Sequence, residues 1–165
     1  MDQPQAWGAA MLIRQATEDD ALAMSQVLRE IIALTGRSRP HDPAFTLSHY
    51  IAAPDGILCS VALDDHGAMG FQSLKRAAAG NRYNLPEGWG IIGTHISPRA
   101  HRRGIGKALF ARSLHAASEA GLTRIDATIG ADNPMGLRYY AAMGFRTYRE
   151  GNGIVQKLFE LTPDG

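Results

Sequence analysis

The sequence predicts a mixed α/β layer domain, and three observations support this fold class. Short apolar runs typical of β-strands recur along the chain. Segments whose apolar residues recur with helical spacing separate several of these runs. Glycine, proline and capping residues mark the boundaries between the two kinds of segment. The resulting order, β-α-α-β-β-β-α-β-α-β-β, is that of a layered α/β fold.

Strands are predicted where apolar and β-branched residues lie between turn residues. They cover residues 11–16, 57–63, 69–74, 89–97, 124–129, 146–148 and 154–161. The turn Asp64-Asp65-His66-Gly67 joins the second and third of these strands as a hairpin. Pro98 ends the fourth strand, because proline cannot donate a ladder hydrogen bond.

Helices are predicted from the residues that cap or terminate them. Their first residues lie near Thr17, Asp42, Gly106 and Asn133, and their ends near Gly36, Tyr50, Ala120 and Gly144. Asp20 is placed to complete a capping box for the first helix. Pro134 suits the first position of the last helix, directly after the N-cap Asn133.

Composition and charge exclude several classes of protein. A chain of 165 residues with 45% hydrophobic residues suits one globular domain, and its net charge of +1 gives no bias toward nucleic acid or membrane. No apolar run approaches the roughly 20 residues that cross a bilayer. Residues 1–10 lack the pattern of a signal peptide, so they are expected to be a flexible tail before a single domain over 11–165. The single cysteine, Cys59, suits a reducing compartment, which predicts a cytoplasmic protein.

The loop before the third helix carries the clearest functional signal. It reads His101-Arg102-Arg103-Gly104-Ile105-Gly106-Lys107. Glycines at a helix start expose backbone N–H groups, and the helix dipole and basic side chains favour an anion there. A Walker loop does not fit, because His101 and Ala108 stand where it needs glycine and Ser or Thr. A dinucleotide fingerprint does not fit either, because Leu109 replaces its third glycine. The alternative is a glycine turn with a solvated basic face.

This loop resembles the coenzyme-A loop of the GNAT superfamily of N-acetyltransferases. The family pattern is Gln or Arg, two variable residues, Gly, one variable residue, then Gly or Ala, and His101 departs from it at the first position. The segment from Asn133 to Phe145 is similar to a second family pattern, in which Asn is followed seven residues later by Tyr and then by Gly-Phe. With the order of elements, the resemblance spans residues 11–161. It implies a mostly antiparallel central sheet that is splayed at its middle, with helices on both faces.

The resemblance also implies an activity and a set of site residues. The protein would transfer the acetyl group of acetyl-coenzyme A to a primary amine of a small molecule, without a metal. Tyr140 would be the general acid, with a packed aromatic as the alternative, and Asn133 would bond the pantetheine arm or serve as a plain N-cap. Cofactor contacts are expected at Thr94, His95, Ile96, His101, Arg102, Arg103, Gly104, Ile105, Gly106, Lys107, Asn133 and Tyr140. Gly104 and Gly106 would matter because a Cβ there would hold a phosphate away.

The general base is less clear from the residues. The strand before the loop has no carboxylate, where many members of the family place a glutamate. His95 has a suitable ordinary pKa, and Glu87 and Asp126 are further candidates. The lack of a clear base favours an α-amino group or another weakly basic amine.

The acceptor pocket is expected between residues 34–50 and 77–89. Arg37, Arg39 and Arg82 either meet a carboxylate there or lie on the surface. By the resemblance, exposed terminal strands favour a homodimer. Two other functions stay open, a coenzyme-A-binding sensor without turnover and an acetyltransferase that acts on a protein or an aminoacyl-tRNA. The near-neutral net charge argues against a nucleic-acid partner.

Overall fold

The structure is a computed structural model that describes residues 11–162, so the predicted N-terminal tail, residues 1–10, lies outside the described residues. Within this range the strands are β1 Leu12–Gln15, β2 Gly56–Asp64, β3 Gly67–Arg76, β4 Gly90–Ile96, β5 Arg124–Gly130, β6 Arg146–Gly151 and β7 Ile154–Glu160. They form one sheet in the order β1-β2-β3-β4-β5-β7-β6. All neighbours are antiparallel except β4 and β5, which are parallel. The predicted mixed α/β fold is confirmed.

The helices are α1 Ala21–Thr35, α2 Pro43–Thr46, α3 Ile105–Glu119 and α4 Pro134–Ala142. A 3-10 turn precedes α1, and a π-helical turn, Leu47–Ile51, follows α2. The Asp20 carboxylate accepts a hydrogen bond from the N–H of Thr17 at 2.8 Å, which closes the predicted capping box. Gly36 ends α1 with a φ of 72°. No helix within residues 11–162 is long and apolar enough to cross a membrane.

The helices cover the two faces of the sheet in pairs. On the α1/α2 face, Met24, Val27 and Leu28 pack against strand residues that include Phe71. On the α3/α4 face, Phe110 and Tyr140 pack over Leu74 and Ile92. Because successive strand residues point to opposite faces, neighbouring residues of β4 belong to different layers.

Strands β4 and β5 separate soon after they meet. They pair only at Gly90 with Ile125 and at Ile91 with Asp126. β4 nevertheless remains paired with β3 along its whole length, to Ile96. The edge of β4 that faces β5 therefore has no strand partner over residues 92–96 in the part of the chain that the structure describes. We call this opening the β4–β5 gap.

Candidate active site

The N-terminus of α3 follows β4 after one turn of 3-10 helix, and it presents free backbone donors. Gly104 is the N-cap residue, with a φ of 75° in the left-handed region that favours glycine. The first helical hydrogen bond runs from the N–H of Ala108 to the carbonyl of Gly104 at 3.1 Å. The N–H groups of residues 105–107 therefore have no acceptor within the helix. This arrangement suits a bound phosphate.

The structure gives a reason for Gly106 that the sequence did not predict. A Cβ at this position would lie 2.6 Å from Cε1 of Tyr139 and 3.2 Å from Cδ1 of Ile96. The missing side chain thus makes room for the Tyr139 ring, whereas the sequence suggested that it makes room for a phosphate. A Cβ on Gly104 would meet nothing within 4 Å, so that glycine is required for its positive φ.

Two arginines near the α3 N-terminus are held by the β2–β3 turn. Asp64 accepts hydrogen bonds from Nη1 of Arg99 at 3.0 Å and from Nη1 of Arg103 at 3.4 Å. The hydrogen bond from Arg99 is the main cause that lowers the pKa of Asp64 to about 2. Arg103, which was predicted to contact the cofactor, thus has a carboxylate partner. Arg102 and Lys107 are exposed and form no ion pair within residues 11–162.

Two adjacent tyrosines of α4 reach the gap through one hydrogen-bond network. The hydroxyl of Tyr140 lies 2.7 Å from Oγ1 of Thr94, in the part of β4 that does not pair with β5. The amide nitrogen of Gln72 donates to Oγ1 of Thr94 and to the hydroxyl of Tyr139, both at 2.9 Å. Tyr139 donates in turn to the carbonyl of Gly106 at 2.7 Å. The network therefore joins β3, β4, α4 and the start of α3.

The number of protons in this network fixes the direction of its bonds. A carbonyl only accepts, so the single proton of the Tyr139 hydroxyl goes to Gly106. Gln72 must then donate to Tyr139, which turns its amide nitrogen toward both hydroxyls and leaves Oε1 buried without a partner. Oγ1 of Thr94 accepts from Gln72 and keeps its own proton. Thr94 is therefore able to donate to Tyr140.

Tyr140 is buried, with 6% of its surface exposed, and its ring packs between those of Tyr139 and Phe145. Burial is the largest cause that raises the pKa of Tyr140 above its ordinary value. Burial likewise raises the pKa of Tyr139 to about 12. Both phenols therefore keep their protons at neutral pH. The residue predicted as the general acid lies at the gap in its protonated form.

His95 lies on the opposite, α1/α2 face of β4. Its ring centroid is 4.9 Å from that of Phe71 and 5.3 Å from that of Tyr50. Nη1 of Arg39 lies 3.4 Å from its Nδ1, and a guanidinium can only donate, so the ring proton is on Nε2. Burial, followed by the charge of Arg39, lowers the pKa of His95 to about 3. His95 is therefore neutral and weakly basic at neutral pH, which does not favour the predicted role of general base.

Comparison with known proteins identifies the family. The sequence model described as the acetyltransferase (GNAT) family matches residues 24–145, most of the chain. This chain belongs to the GNAT acetyltransferase family. A sequence comparison with curated proteins finds no match.

Solved structures share the fold of this GNAT chain at low sequence identity. YncA of Salmonella typhimurium, solved with its cofactor acetyl-CoA, is 21% identical with a TM-score of 0.73, over 94% of this chain and 98% of its own. The GNAT domain of S. lividans PAT is 18% identical with a TM-score of 0.75, over 97% and 100% of the two chains. The PaiA N-acetyltransferase of Thermoplasma acidophilum, solved in complex with coenzyme A, is 18% identical with a TM-score of 0.71, over 92% and 99%.

Two further residues singled out in this GNAT sequence have partners within the fold. Oδ1 of Asn133 accepts a hydrogen bond from the N–H of Gly136 at 3.0 Å, which is the plain N-cap role. The Asp126 carboxylate accepts from the hydroxyls of Tyr148 and Thr128 at 2.6 and 2.7 Å. Burial is the largest cause that raises the pKa of Asp126. These contacts favour structural roles for both side chains.

No group of three or more His, Cys, Asp or Glu side chains in the described part of the GNAT chain is arranged to hold a metal ion. Cys59 is buried, and burial raises the pKa of its thiol to about 12. The thiol is therefore protonated at neutral pH and unreactive as a nucleophile.

Gln72, Tyr139 and Asp64 were not singled out by the sequence analysis as site residues. Gln72 gave one usable signal, since it is a polar residue between Phe71 and Leu74 in an apolar strand. Such residues are buried only when they are hydrogen-bonded. Tyr139 gave no signal that separates it from its neighbour Tyr140.

Proposed function

We propose that this GNAT acetyltransferase transfers the acetyl group of acetyl-coenzyme A to a primary amine of a small molecule, by direct attack of the amine and with Tyr140 as the general acid. One observation carries the proposal. A buried, protonated Tyr140 hydroxyl lies 2.7 Å from Thr94 on the unpaired edge of β4. Along the chain, β4 leads to the N-terminus of α3, where the N–H groups of residues 105–107 have no acceptor within the helix.

The chain's residues fit acetyl-coenzyme A. The N–H groups of residues 105–107 would bind its diphosphate, and the exposed side chains of Arg102 and Lys107 add positive charge there. The unpaired edge of β4 over residues 92–96 would bind the amide groups of the pantetheine arm as an added strand does. The thioester supplies an activated acetyl group, and its sulfur needs a proton when it leaves.

Tyr140 holds that proton on its hydroxyl oxygen. A phenol has an ordinary pKa of about 10 and a thiol one of about 8.5, so the transfer is only somewhat uphill. Burial raises the pKa of a phenol and of a thiol alike, so it does not by itself make the transfer harder. Once the phenol oxygen has lost its proton it can only accept, and Thr94 is placed to donate to it. Because Gln72 donates to Thr94 at 2.9 Å, that hydrogen bond is reinforced.

The attacking amine has to be neutral, and His95 on β4 is too weakly basic to take its proton at neutral pH. An α-amino group with a pKa of about 7.8 is roughly 10–15% neutral at pH 7, which costs about 1 kcal/mol. A lysine-type amine with a pKa of about 10.4 is neutral in under ~0.1% of molecules, which costs about 4–5 kcal/mol. The low pKa of His95, about 3, therefore supports an α-amino group or a similarly weakly basic amine as the acceptor, with water taking the proton.

Thiol release from acetyl-coenzyme A tests this function. The acceptor panel contains free amino acids and their amides, polyamines and aminoglycosides, each measured as a function of pH. We expect turnover on α-amines, with a rate that rises with pH through the pKa of the amine. A steep preference for lysine-type amines would contradict the acceptor class. Tight cofactor binding without turnover on any amine would contradict the enzyme and favour a sensor.

A further inference from the structure

Arg39 brings a positive charge to the α1/α2 face of the gap and has no carboxylate partner among residues 11–162. Its Nη2 donates to the hydroxyl of Tyr50 at 2.7 Å, and its Nη1 lies 3.4 Å from Nδ1 of His95. Both partners are neutral, and Nε is buried with no hydrogen-bond partner among the described residues. Arg37, two residues earlier, instead forms an ion pair with Asp132. Arg39 is thus held in place with its charge uncompensated and with a donor unused.

A second cation lies beside the same tyrosine. Nζ of Lys75 is 5.7 Å from the centroid of the Tyr50 ring. Lys75 is half-buried and forms no ion pair within residues 11–162. Burial is the largest cause that lowers its pKa, and the charge of Asp55 opposes that shift.

Arg82 belongs to the same group of charges. After burial, the charges of Lys75, Arg82 and Arg39 are the next causes that lower the pKa of the half-buried His49. The carboxylate that opposes them there is Asp55, which has a smaller effect. The three cations therefore all act on His49, and none of them forms an ion pair within residues 11–162.

One of the three cations, Arg82, also lines a cleft large enough for a small molecule. The cleft has a volume of about 350 Å³ and lies between the β3–β4 loop and the β6–β7 hairpin. Its charged lining residues are Arg82, Arg149 and Glu150, and Gln156 also lines it. Gln156 donates to Oγ1 of Thr128 on β5 at 3.2 Å, so the cleft floor is tied to the strand on the far side of the gap. Volumes of a few hundred Å³ are typical of small-molecule sites.

An acceptor has to reach the gap from this side. The α3/α4 face is filled by a packed core that includes Ile92, Tyr140 and Phe145. The α1/α2 face carries the ring of His95 and the guanidinium of Arg39 at the same level of β4. A small amine that enters here passes the guanidinium of Arg39 and, beside the ring of Tyr50, the ammonium of Lys75.

We propose that Arg39, with Lys75 and Arg82, binds a carboxylate of the acceptor, so that the acceptors are amino acids and related small amines that carry a carboxylate. This inference rests on the N-acetyltransferase function proposed above. A carboxylate would satisfy the unused Nε of Arg39 with a charge-assisted hydrogen bond and neutralise the cluster. The same cations disfavour a protonated amine beside them, so they also help to keep the attacking nitrogen neutral.

Matched acceptors test the inference in the turnover assay. L-alanine, L-leucine and L-phenylalanine are compared with their carboxamides, and kcat/KM is expressed per neutral amine because the amine pKa differs within each pair. We expect the carboxylates to be preferred by about tenfold or more in at least one pair. Arg39→Gln should remove this preference, because it should raise KM for the carboxylate much more than for the carboxamide. Arg37→Gln is the matched control and should keep the preference.

Equal kcat/KM for both members of every pair in the wild-type protein would overturn the inference while leaving acetyl transfer intact. An equal loss on both acceptors in Arg39→Gln would also overturn it. Lys75→Gln, with its melting temperature checked, provides a second variant if Arg39→Gln does not fold.

A binding measurement separates the failure of this inference from the failure of acetyl transfer. Calorimetric titration of the coenzyme-A-loaded protein with the N-acetyl derivatives of the same amino acids and carboxamides requires no turnover. Tighter binding of an N-acetyl carboxylate, lost in Arg39→Gln, supports the carboxylate site even if no amine is acetylated. Equal or absent binding of the carboxylates overturns it even if amines are acetylated.

Discussion

Replacing Tyr140 by phenylalanine removes one hydroxyl from the β4–β5 gap and leaves the packing of the ring in place. The ring centroid lies 4.9 Å from that of Tyr139 and 5.1 Å from that of Phe145, and phenylalanine keeps both contacts. Within the described residues the side-chain hydroxyl has one partner, Oγ1 of Thr94 at 2.7 Å. Losing this hydrogen bond costs about 1 kcal/mol of folding stability, so the variant should fold.

The expected loss of rate follows from what remains at the gap. Removal of a general acid lowers a rate by about 10²- to 10⁴-fold. Thr94 keeps its own proton, supported by Gln72, and can supply part of the lost function. We therefore expect kcat of Tyr140→Phe to fall by about 10²- to 10³-fold, which corresponds to roughly 3–4 kcal/mol in the barrier. KM for acetyl-coenzyme A should not change, because the N–H groups of α3 are untouched.

Tyr139→Phe is the matched control for this measurement. Its ring is adjacent and largely buried, but its hydroxyl bonds to Gln72 and to the carbonyl of Gly106. We expect kcat of this variant to fall by less than about tenfold in single-turnover thiol release with a saturating amine. The assignment of the acid would be refuted if Tyr140→Phe kept kcat within about threefold of the wild type, or if both variants lost the same factor.

Three further predictions concern stability, measured as the free energy of unfolding in urea. Gly106→Ala places a Cβ 2.6 Å from Cε1 of Tyr139 and should cost about 1–3 kcal/mol, and an unchanged stability would refute the close contact. The pKa of His95, about 3 in the fold, lies below its ordinary value of about 6.5. The unfolded chain therefore binds this proton at a higher pH than the folded chain does, and the wild type should lose stability as pH falls from about 6.5 toward 3. His95→Gln should lose less stability over the same range. Parallel curves of unfolding free energy against pH for the two proteins would contradict this. Asp64 has a pKa of about 2, below its ordinary value of about 3.9, so its contribution is present above pH 4 and is lost as pH falls toward 2. Asp64→Asn should not show this loss of stability between about pH 4 and pH 2.

The elements that the sequence predicted well are those defined by nearby residues. Thr17 and Asp20 close a capping box over three residues, and Asn133 with Pro134 starts α4 as predicted. The position of β7 between β5 and β6 depends instead on long-range pairing. The short pairing of β4 with β5 also leaves no local pattern, and the opening between them was expected only from the family resemblance.

The candidate site likewise contains residues that the sequence predicted from local motifs and residues that it could not predict. The loop at residues 101–107 and Tyr140 lie in short motifs, so the sequence could single them out. The partners that set their roles are distant along the chain, as for Tyr139, which lies 33 residues from Gly106 and 67 from Gln72. The ordinary pKa of a histidine made His95 a candidate base, but packing against Tyr50 and the charge of Arg39 belong to the fold, and burial and that charge lower its pKa. Burial of a side chain depends on the tertiary fold, so the sequence around His95 could not predict it.

The most direct test of the central claim is to follow acetylated amine and free thiol together when the purified protein is mixed with acetyl-coenzyme A and a mixture of amino acids. Mass spectrometry identifies the acetylated product, and a thiol reagent counts the coenzyme released. We expect equal amounts of both products, formed only when the amine is present and much more slowly in Tyr140→Phe. Bound acetyl-coenzyme A with no acetylated amine, or an equal rate in Tyr140→Phe, would contradict it.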